Sequence, residues 1–252
     1  MKYYVTADVH GFYSVFYQAL DEAGYFTDPE PHKLVILGDL FDRGKEAKAL
    51  QNFLLERWDE LILIRGNHED LFLELITTDE GLPYSHHVSN GTFDTALQLT
   101  GFDPVMAQLR NWDFAEAAGK TPYVQQIIPS MLDYYETDRY IFTHGWIPCI
   151  RGRREYSYIS EWREASAGEW SSARWYNGMD AAQTCMEEKT ILCGHWHTSY
   201  GHSKYEHRGP EFGPDADFSP YIAPGIIALD ACTAYSGKVN IYVIEDEPLI
   251  RR

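Results

Sequence analysis

The first quarter of the chain alternates short apolar runs with stretches of helical periodicity, and this alternation restricts the fold more than any other feature. Residues 2–7 form a β-branched and aromatic run, and residues 34–37 and 61–64 are continuous apolar runs typical of strands buried on both faces. Between them, residues 13–24 and 46–58 have the spacing of helices. The order β-α-β-α-β predicts an α/β fold with parallel strands and with helices outside the sheet.

The rest of the chain continues this class of fold after a long helical segment. Residues from about 70 to 135 are mostly helical in pattern and are broken by glycine and proline, so we predict a helical insertion, or cap, within a single domain of residues 1–252. The other predicted elements are strands at 139–143, 190–193, 226–230 and 239–245, a helix at 155–178 and a loop at 200–224.

The formal net charge of −17 limits the partners that this protein can bind. Such an acidic chain lacks a basic surface for duplex nucleic acid or an acidic membrane, but a metal centre can still be locally positive and attract a small phosphorylated substrate. No apolar run reaches the length of a membrane span, and the N-terminus is too soon polar for a secretory signal, which favours a cytoplasmic protein. The four cysteines form no CxxC pair and are expected to be reduced thiols.

Polar motifs follow five of the apolar runs, each where a strand is predicted to end. They read Asp8-Val9-His10, Gly38-Asp39-Leu40-Phe41-Asp42-Arg43-Gly44, Arg65-Gly66-Asn67-His68-Glu69, His144-Gly145 and Gly194-His195-Trp196-His197. Because ligands of open α/β sheets gather at the carboxyl ends of strands, we expect these side chains to converge. Carboxylate, imidazole and amide groups together predict a centre for two metal ions with mixed oxygen and nitrogen ligands.

Each motif has an ordinary structural explanation when it is taken alone. Asp39 and Asn67 stand where helices need an N-cap, and His144 by itself is more simply a structural histidine. The Asp-x-His and His-x-His pairs place two side chains on one side of an extended segment, but such pairs also occur by chance. The metal centre is favoured because all five motifs occur together at strand ends.

With these motifs in view, the chain resembles the calcineurin-like metallophosphoesterase superfamily. The Gly-Asp-x-x-Asp-Arg-Gly string at 38–44 and the Arg-Gly-Asn-His-Glu string at 65–69 are similar to those of the phosphoprotein phosphatase family of Ser/Thr phosphatases and its bacterial and phage relatives. The likeness extends from Asp8 to about Asn240. It implies a four-layer α-β-β-α sandwich in which two mixed sheets pack face to face.

The resemblance also implies a set of metal ligands, with Asp39 bridging the two ions. His197 would complete the first metal site as in the wider superfamily, although Ser/Thr phosphatases usually lack this histidine, so its presence weakens a strict assignment to that class. Manganese is the expected metal, with iron or zinc as alternatives. The predicted ligands are Asp8, His10, Asp39, Asn67, His144, His195 and His197.

Catalytic roles carried over from the family fall on four further residues. Arg43 would bind a phosphate oxygen, and His68 would protonate the leaving group while Asp42 orients it. A second phosphate-binding arginine is expected, and Arg174 is the best match by position, with a surface salt bridge as its structural alternative. Weaker candidates for that second arginine are Arg153 and Arg154.

The predicted reaction is hydrolysis of phosphate monoesters, as in Ser/Thr protein phosphatases, by direct attack of a hydroxide that bridges the metals. The substrate would be a phosphoprotein or a small phosphoester. An alternative is a nucleotide phosphodiester or anhydride hydrolase, such as a symmetrical diadenosine tetraphosphate hydrolase. A non-catalytic binding protein is a third hypothesis, but it predicts missing ligands and every expected position is filled. Core packing is expected, and nucleobase stacking is the alternative, for Trp146, Trp162, Trp170 and Trp175.

Overall fold

The computed structural model describes residues 1–77, 85–153 and 155–248 of the chain. Its strands are β1 Lys2–Thr6, β2 His32–Ile36, β3 Leu61–Leu63, β4 Tyr135–Glu136, β5 Tyr140–Phe142, β6 Ile150–Arg151, β7 Tyr156–Ser157, β8 Thr190–Cys193, β9 Tyr221–Ala223, β10 Ile226–Ala228 and β11 Tyr242–Glu245. Its α-helices are α1 Tyr13–Glu22, α2 Ala47–Glu56, α3 Asn67–Thr77, α4 Ser85–Asn90, α5 Thr92–Thr100, α6 Pro104–Leu109, α7 Asn111–Gly119, α8 Ile128–Ser130, α9 Ala167–Ala173, α10 Gly178–Ala181, α11 Thr198–Lys204 and α12 Thr233–Ser236.

Two mixed sheets form the centre of the molecule. In the first sheet the strand order is β11-β1-β2-β3, with β1, β2 and β3 parallel and β11 antiparallel. In the second sheet the order is β4-β5-β8-β10-β9, with β5, β8 and β10 parallel and both edge strands antiparallel. The predicted α/β class with two mixed sheets is therefore confirmed.

Side chains alternate between the two faces of each strand, and the hydrophobic core therefore forms three layers. In β2, Val35 points into the core between the two sheets, whereas Leu34 and Ile36 point into the core beneath the helices. In β8, Leu192 joins the core between the sheets, and Ile191 joins the core under α9 and α10. Because each face of each sheet is covered, the buried residues 34–36 of β2 and 191–193 of β8 are all apolar, and four α-β-β-α layers result.

The insertion after β3 packs on the helical side of the first sheet. Phe72, Phe93, Phe114 and Tyr123 share one hydrophobic core with Leu34 of β2. Helices α3 and α5 to α8 therefore extend this core, and α5 also bonds Asp42 in the loop that follows β2. The assignment of the insertion to the same domain as the sheets stays a prediction.

Two predictions of secondary structure were wrong. Residues 155–178 are not one helix, because they contain β7 at Tyr156–Ser157 before α9 at Ala167–Ala173. Residues 200–224 are not one loop, because α11 runs from Thr198 to Lys204 and β9 occupies Tyr221–Ala223. Among the described residues, no helix is both long and apolar enough to cross a membrane. The cysteines are free thiols, as expected.

Candidate metal centre

The motif side chains meet at the carboxyl ends of strands from both sheets. Ligand atoms of His10, Asp39 and His68 lie within 4.8 Å of one another, and so do those of Asp39, His144 and His195. Asp39 thus belongs to both groups, with its Oδ1 atom 3.4 Å from His144 Nε2 and its Oδ2 atom 3.8 Å from His10 Nε2. One carboxylate faces imidazoles on two sides, which is the arrangement that a bridging ligand requires.

Glycines allow the loops to approach these carboxylates closely. A Cβ atom on Gly66 would lie 2.2 Å from Asp39 Oδ1, and a Cβ atom on Gly194 would lie 2.2 Å from Asp8 Oδ2. The His195 amide then donates a hydrogen bond to Asp8 Oδ2 at 2.9 Å, which joins the first and last motifs. Any larger residue at either glycine would displace a predicted ligand.

Backbone carbonyls orient two of the predicted histidine ligands. The Nδ1 atom of His10 lies 2.8 Å from the Phe41 carbonyl, and the Nδ1 atom of His144 lies 2.6 Å from the Leu37 carbonyl. Each Nδ1–H therefore donates to a carbonyl oxygen, and each Nε2 lone pair faces the cluster. Both imidazoles are presented in the form that binds metal.

His68 and Asp42 form a pair beside this cluster. His68 Nδ1 lies 2.7 Å from Asp42 Oδ2, which also accepts a 2.7 Å hydrogen bond from Thr92 Oγ1 of the insertion. Burial favours neutral His68, but the carboxylates of Asp39 and Asp42 outweigh this effect and raise its pKa. His68 is thus an imidazole held toward its charged, proton-donating form.

A pocket of about 220 Å³ opens onto the cluster. Arg43 lies in its wall and is exposed, as a residue that meets a phosphate group should be. Among the described residues that line the pocket, Arg43 is the only lysine or arginine. The other residues of the wall include His10, Asp39, Asn67, His68, Asn90, Trp175, His195, Trp196, His197 and Asp230.

Two residues that were expected to act at the site have other partners. His197 lines the pocket, but its Nε2 atom lies 2.7 Å from Glu211 Oε1. Arg174 is buried, and its guanidinium group donates to Asp133 and, at 2.8 Å, to Asp70 Oδ2. Their roles as metal ligand and phosphate ligand stay predictions. Of the weaker candidates, Arg153 is exposed, and Arg154 lies outside the described residues.

Two carboxylates contribute to the site without having been predicted. Asp230 is buried in the pocket wall shortly after β10, and burial raises its pKa to about 6. Its position after a strand was the signal that could have identified it. Glu69 is buried beneath the cluster and accepts hydrogen bonds from the amides of Asp39, Leu40 and Gly66 at 3.0, 3.1 and 2.7 Å. Glu69 is part of the Arg-Gly-Asn-His-Glu string, but the sequence alone assigned it no role at the site.

The comparison with protein families agrees with this geometry. Residues 1–199 match the family model of calcineurin-like phosphoesterases. The chain belongs to this family. The family model describes phosphoesterases, and this family depends on metal ions.

Individual relatives of this phosphoesterase are similar over shorter segments. Serine/threonine-protein phosphatase 1 of Salmonella typhimurium is 37% identical over 71 residues, which is 28% of this chain and 31% of that protein. A symmetrical bis(5′-nucleosyl)-tetraphosphatase of Nitrosospira multiformis is 33% identical over 81 residues, or 32% of this chain and 28% of that protein. The chain thus matches less than a third of the length of these relatives.

Structural similarity covers more of the chain than these sequence matches do. The crystal structure of a cold-active protein-tyrosine phosphatase of a psychrophilic Shewanella species superimposes with a TM-score of 0.56 at 16% identity, and it covers 97% of this chain and 75% of its own. At this identity the likeness shows the shared fold alone.

The residues of the phosphoesterase fit the metal ions on which the family depends. His144 Nε2 and Asn67 Oδ1 are 2.8 Å apart, and both are acceptors once His144 Nδ1–H donates to its carbonyl, so a cation is what would reconcile them. Burial also lowers the pKa of His144, and it lowers the pKa values of His10 and His195 to about 3. Neutral imidazoles beside an ionised Asp39 are the protonation states that metal binding needs.

The remaining carboxylates point to the same conclusion. Burial raises the pKa of Asp8, and the charges of Asp230 and Asp39 raise it further. Three buried carboxylates in mutual repulsion are costly without a compensating positive charge. Divalent cations would supply that charge.

Proposed function

We propose that this phosphoesterase hydrolyses phosphate monoesters, with a two-metal centre and chemistry like that of Ser/Thr protein phosphatases. The observation that carries the proposal is Arg43, the only arginine among the described residues of the pocket wall, since one guanidinium group matches one terminal phosphoryl group. A tetraphosphate chain would carry several more negative charges and would meet the carboxylate of Asp230 in the same wall. A monoester is therefore the better electrostatic match.

The proposed ligands are divided between the two sheets. Asp8, His10 and Asp39 follow strands of the first sheet, as does Asn67, while His144 and His195 follow strands of the second. When bound, two cations of the manganese, iron or zinc type would supply Lewis acidity to the phosphate oxygens and to a water molecule. His197 contacts Glu211 through Nε2, so it would join the first ion either through Nδ1 or after exchanging that contact for the metal.

The remaining roles belong to side chains of the pocket. Arg43 binds the equatorial phosphate oxygens and stabilises their charge as the reaction proceeds. His68 donates its proton to the departing ester oxygen, and Asp42 holds the ring by its Nδ1 atom so that Nε2 faces the pocket. Thr92 of the insertion donates a hydrogen bond to Asp42, so the insertion helps to orient His68, the proton donor.

A second candidate is hydrolysis of a symmetrical dinucleoside tetraphosphate, which the tetraphosphatase of Nitrosospira multiformis favours by its 33% identity over 81 residues. The two candidates are separated by measuring kcat/KM with Mn²⁺ for a phosphopeptide, p-nitrophenyl phosphate, its bis-ester and diadenosine tetraphosphate. We expect the monoesters to react fastest. Turnover of the dinucleotide alone would reject the proposal.

Variants test the role of Arg43 within the same assay. Removing its guanidinium group in Arg43→Ala should reduce kcat/KM for monoesters by roughly 100-fold, since a preorganised donor to developing charge is lost. Arg110→Ala is the matched control, because Arg110 lies outside the pocket wall and pairs with Asp113. Equal effects of the two substitutions would contradict the role of Arg43.

A further inference from the structure

Two tryptophans stand exposed in the wall of the pocket. Trp175 and Trp196 are 47% and 36% exposed and belong to the pocket lining. By contrast, Trp146, Trp162 and Trp170 are buried in the core beside the second sheet. Large aromatic surfaces left open inside a concave site favour an aromatic ligand. We call Trp175 and Trp196 the aromatic seat.

The aromatic seat lies directly beside the candidate metal centre. The ring centroids of Trp175 and Trp196 are 5.7 and 6.1 Å from the ring centroid of His195. A hydrogen bond joins His195 to the Trp175 backbone, and Trp196 stacks on His197 with centroids 5.9 Å apart and an interplanar angle of 21°. Both indoles are thus held next to the place where the phosphoryl group binds.

We propose that the aromatic seat binds a planar ring carried by the leaving group, so that this enzyme favours aryl phosphate monoesters, including phosphotyrosine in a peptide, over alkyl phosphate monoesters. The inference rests on the proposed monoesterase function. A ring bonded directly to the ester oxygen reaches indoles that contact His195, whereas a nucleobase is separated from its nearest phosphate by a ribose. Arg43, as the one arginine that the described part of the chain places in the wall, also matches one phosphoryl group better than a polyphosphate chain.

The reaction of such a substrate balances without any further reagent. A new bond forms between phosphorus and the oxygen of water, and the bond between phosphorus and the aryl oxygen breaks. His68 gives its proton to that aryl oxygen, so the products are a phenol and inorganic phosphate. The attacking water loses one proton, which restores the proton of His68, and its other hydrogen stays on the inorganic phosphate.

Inhibition by non-hydrolysable phosphonates tests the aromatic seat without relying on intrinsic ester reactivity. In Trp175→Ala and Trp196→Ala we expect the inhibition constant of phenylphosphonate to rise roughly 3- to 10-fold, while that of methylphosphonate changes less than about 2-fold. The Phe variants at both positions keep a ring and should retain most of the binding. Trp112→Ala is the matched control, because Trp112 is 67% exposed but lies outside the pocket wall.

Paired substrates provide the second measurement. For tyrosine and serine phosphopeptides of one sequence, the ratio of kcat/KM values should fall in the Ala variants by the factor seen for phenylphosphonate. The inference would be overturned if the inhibition constants of both phosphonates rose equally, or if only that of adenosine monophosphate rose. If direct calorimetry shows the ring-dependent binding but neither peptide is hydrolysed, the proposed function fails and the aromatic seat stands.

Discussion

Single residues of the candidate metal centre depart from ordinary backbone conformation. Asp8, His10, Asp39 and His195 have positive φ angles of 53°, 50°, 52° and 65°. Residues other than glycine rarely adopt positive φ angles, because each such residue costs roughly 1–3 kcal/mol. They do so only where the surrounding structure imposes that backbone conformation. The strain turns each ligand sharply out of its strand and toward the shared centre.

Asp39 is the residue whose loss should affect both ions. We predict that Asp39→Asn removes most bound metal and lowers phosphatase activity by more than about 100-fold, because the bridging negative charge disappears. Plasma emission spectroscopy of the purified protein measures the metal, and circular dichroism checks the fold. Asp215→Asn, at an exposed aspartate, is the control. Full metal content in Asp39→Asn would contradict the assignment.

Glu69 should position the centre without touching substrate. Its two oxygens accept hydrogen bonds from three backbone amides and from the Tyr123 hydroxyl. In Glu69→Gln the side-chain NH₂ group is itself a donor, and it would face backbone N–H groups that also donate. We expect stability to fall by roughly 1–3 kcal/mol, measured by urea unfolding. Metal affinity should fall about 10- to 100-fold. An exposed glutamate on α2 provides the control Glu56→Gln, and equal behaviour of the two variants would refute the role.

Among strands and helices, the continuous apolar runs were predictable, whereas β7, α11 and β9 were not. The runs that became β1, β2 and β8 carry their own signal, because burial on both faces demands continuous hydrophobicity. β7 depends instead on Thr184, which bonds both the amide and the carbonyl of Tyr156 from 28 residues away. Contacts of this range leave no local pattern, so two residues of strand were mistaken for helix.

The ends of β5 and β11 are joined by one ion pair between the sheets. Asp246 Oδ2 accepts from the Arg139 amide at 2.7 Å, and Asp246 Oδ1 accepts from Arg139 Nε at 3.0 Å. Burial favours the neutral acid, but these hydrogen bonds outweigh it and lower the pKa of Asp246. The stabilisation is therefore present above the unfolded-state pKa and is lost as pH falls through the lower folded-state value.

We predict that Asp246→Asn reduces the free energy of unfolding by roughly 1–3 kcal/mol at neutral pH. The difference from the wild type should shrink as pH falls below about 4, because the wild-type carboxylate is then protonated. Urea unfolding between pH 3 and pH 7 measures this, with the exposed Asp59→Asn as control. A difference that stays constant over that range would show that the carboxylate charge is unimportant.

Across the entire protein, the candidate metal centre joins the two sheets. Asp39 follows a strand of the first sheet and His144 follows a strand of the second, so ions held by both would tie the sheets together. We predict that Mn²⁺ at 100 times its dissociation constant raises the melting temperature by roughly 5–10 °C over the chelated protein. Differential scanning calorimetry tests this. The same addition should not stabilise Asp39→Asn, and stabilisation of both proteins would indicate metal bound elsewhere.

Local patterns in the chain were sufficient to predict the α/β class, the strand-end motifs and the type of ligand, because hydrophobic periodicity and donor chemistry are properties of neighbouring residues. Only the folded structure brings Asp230 into the pocket wall, pairs His197 with Glu211 and Arg174 with Asp70, and leaves Trp175 exposed beside His195. These outcomes depend on which segments distant in the chain meet in space, and side-chain partners at such distances are chosen by packing and charge in three dimensions.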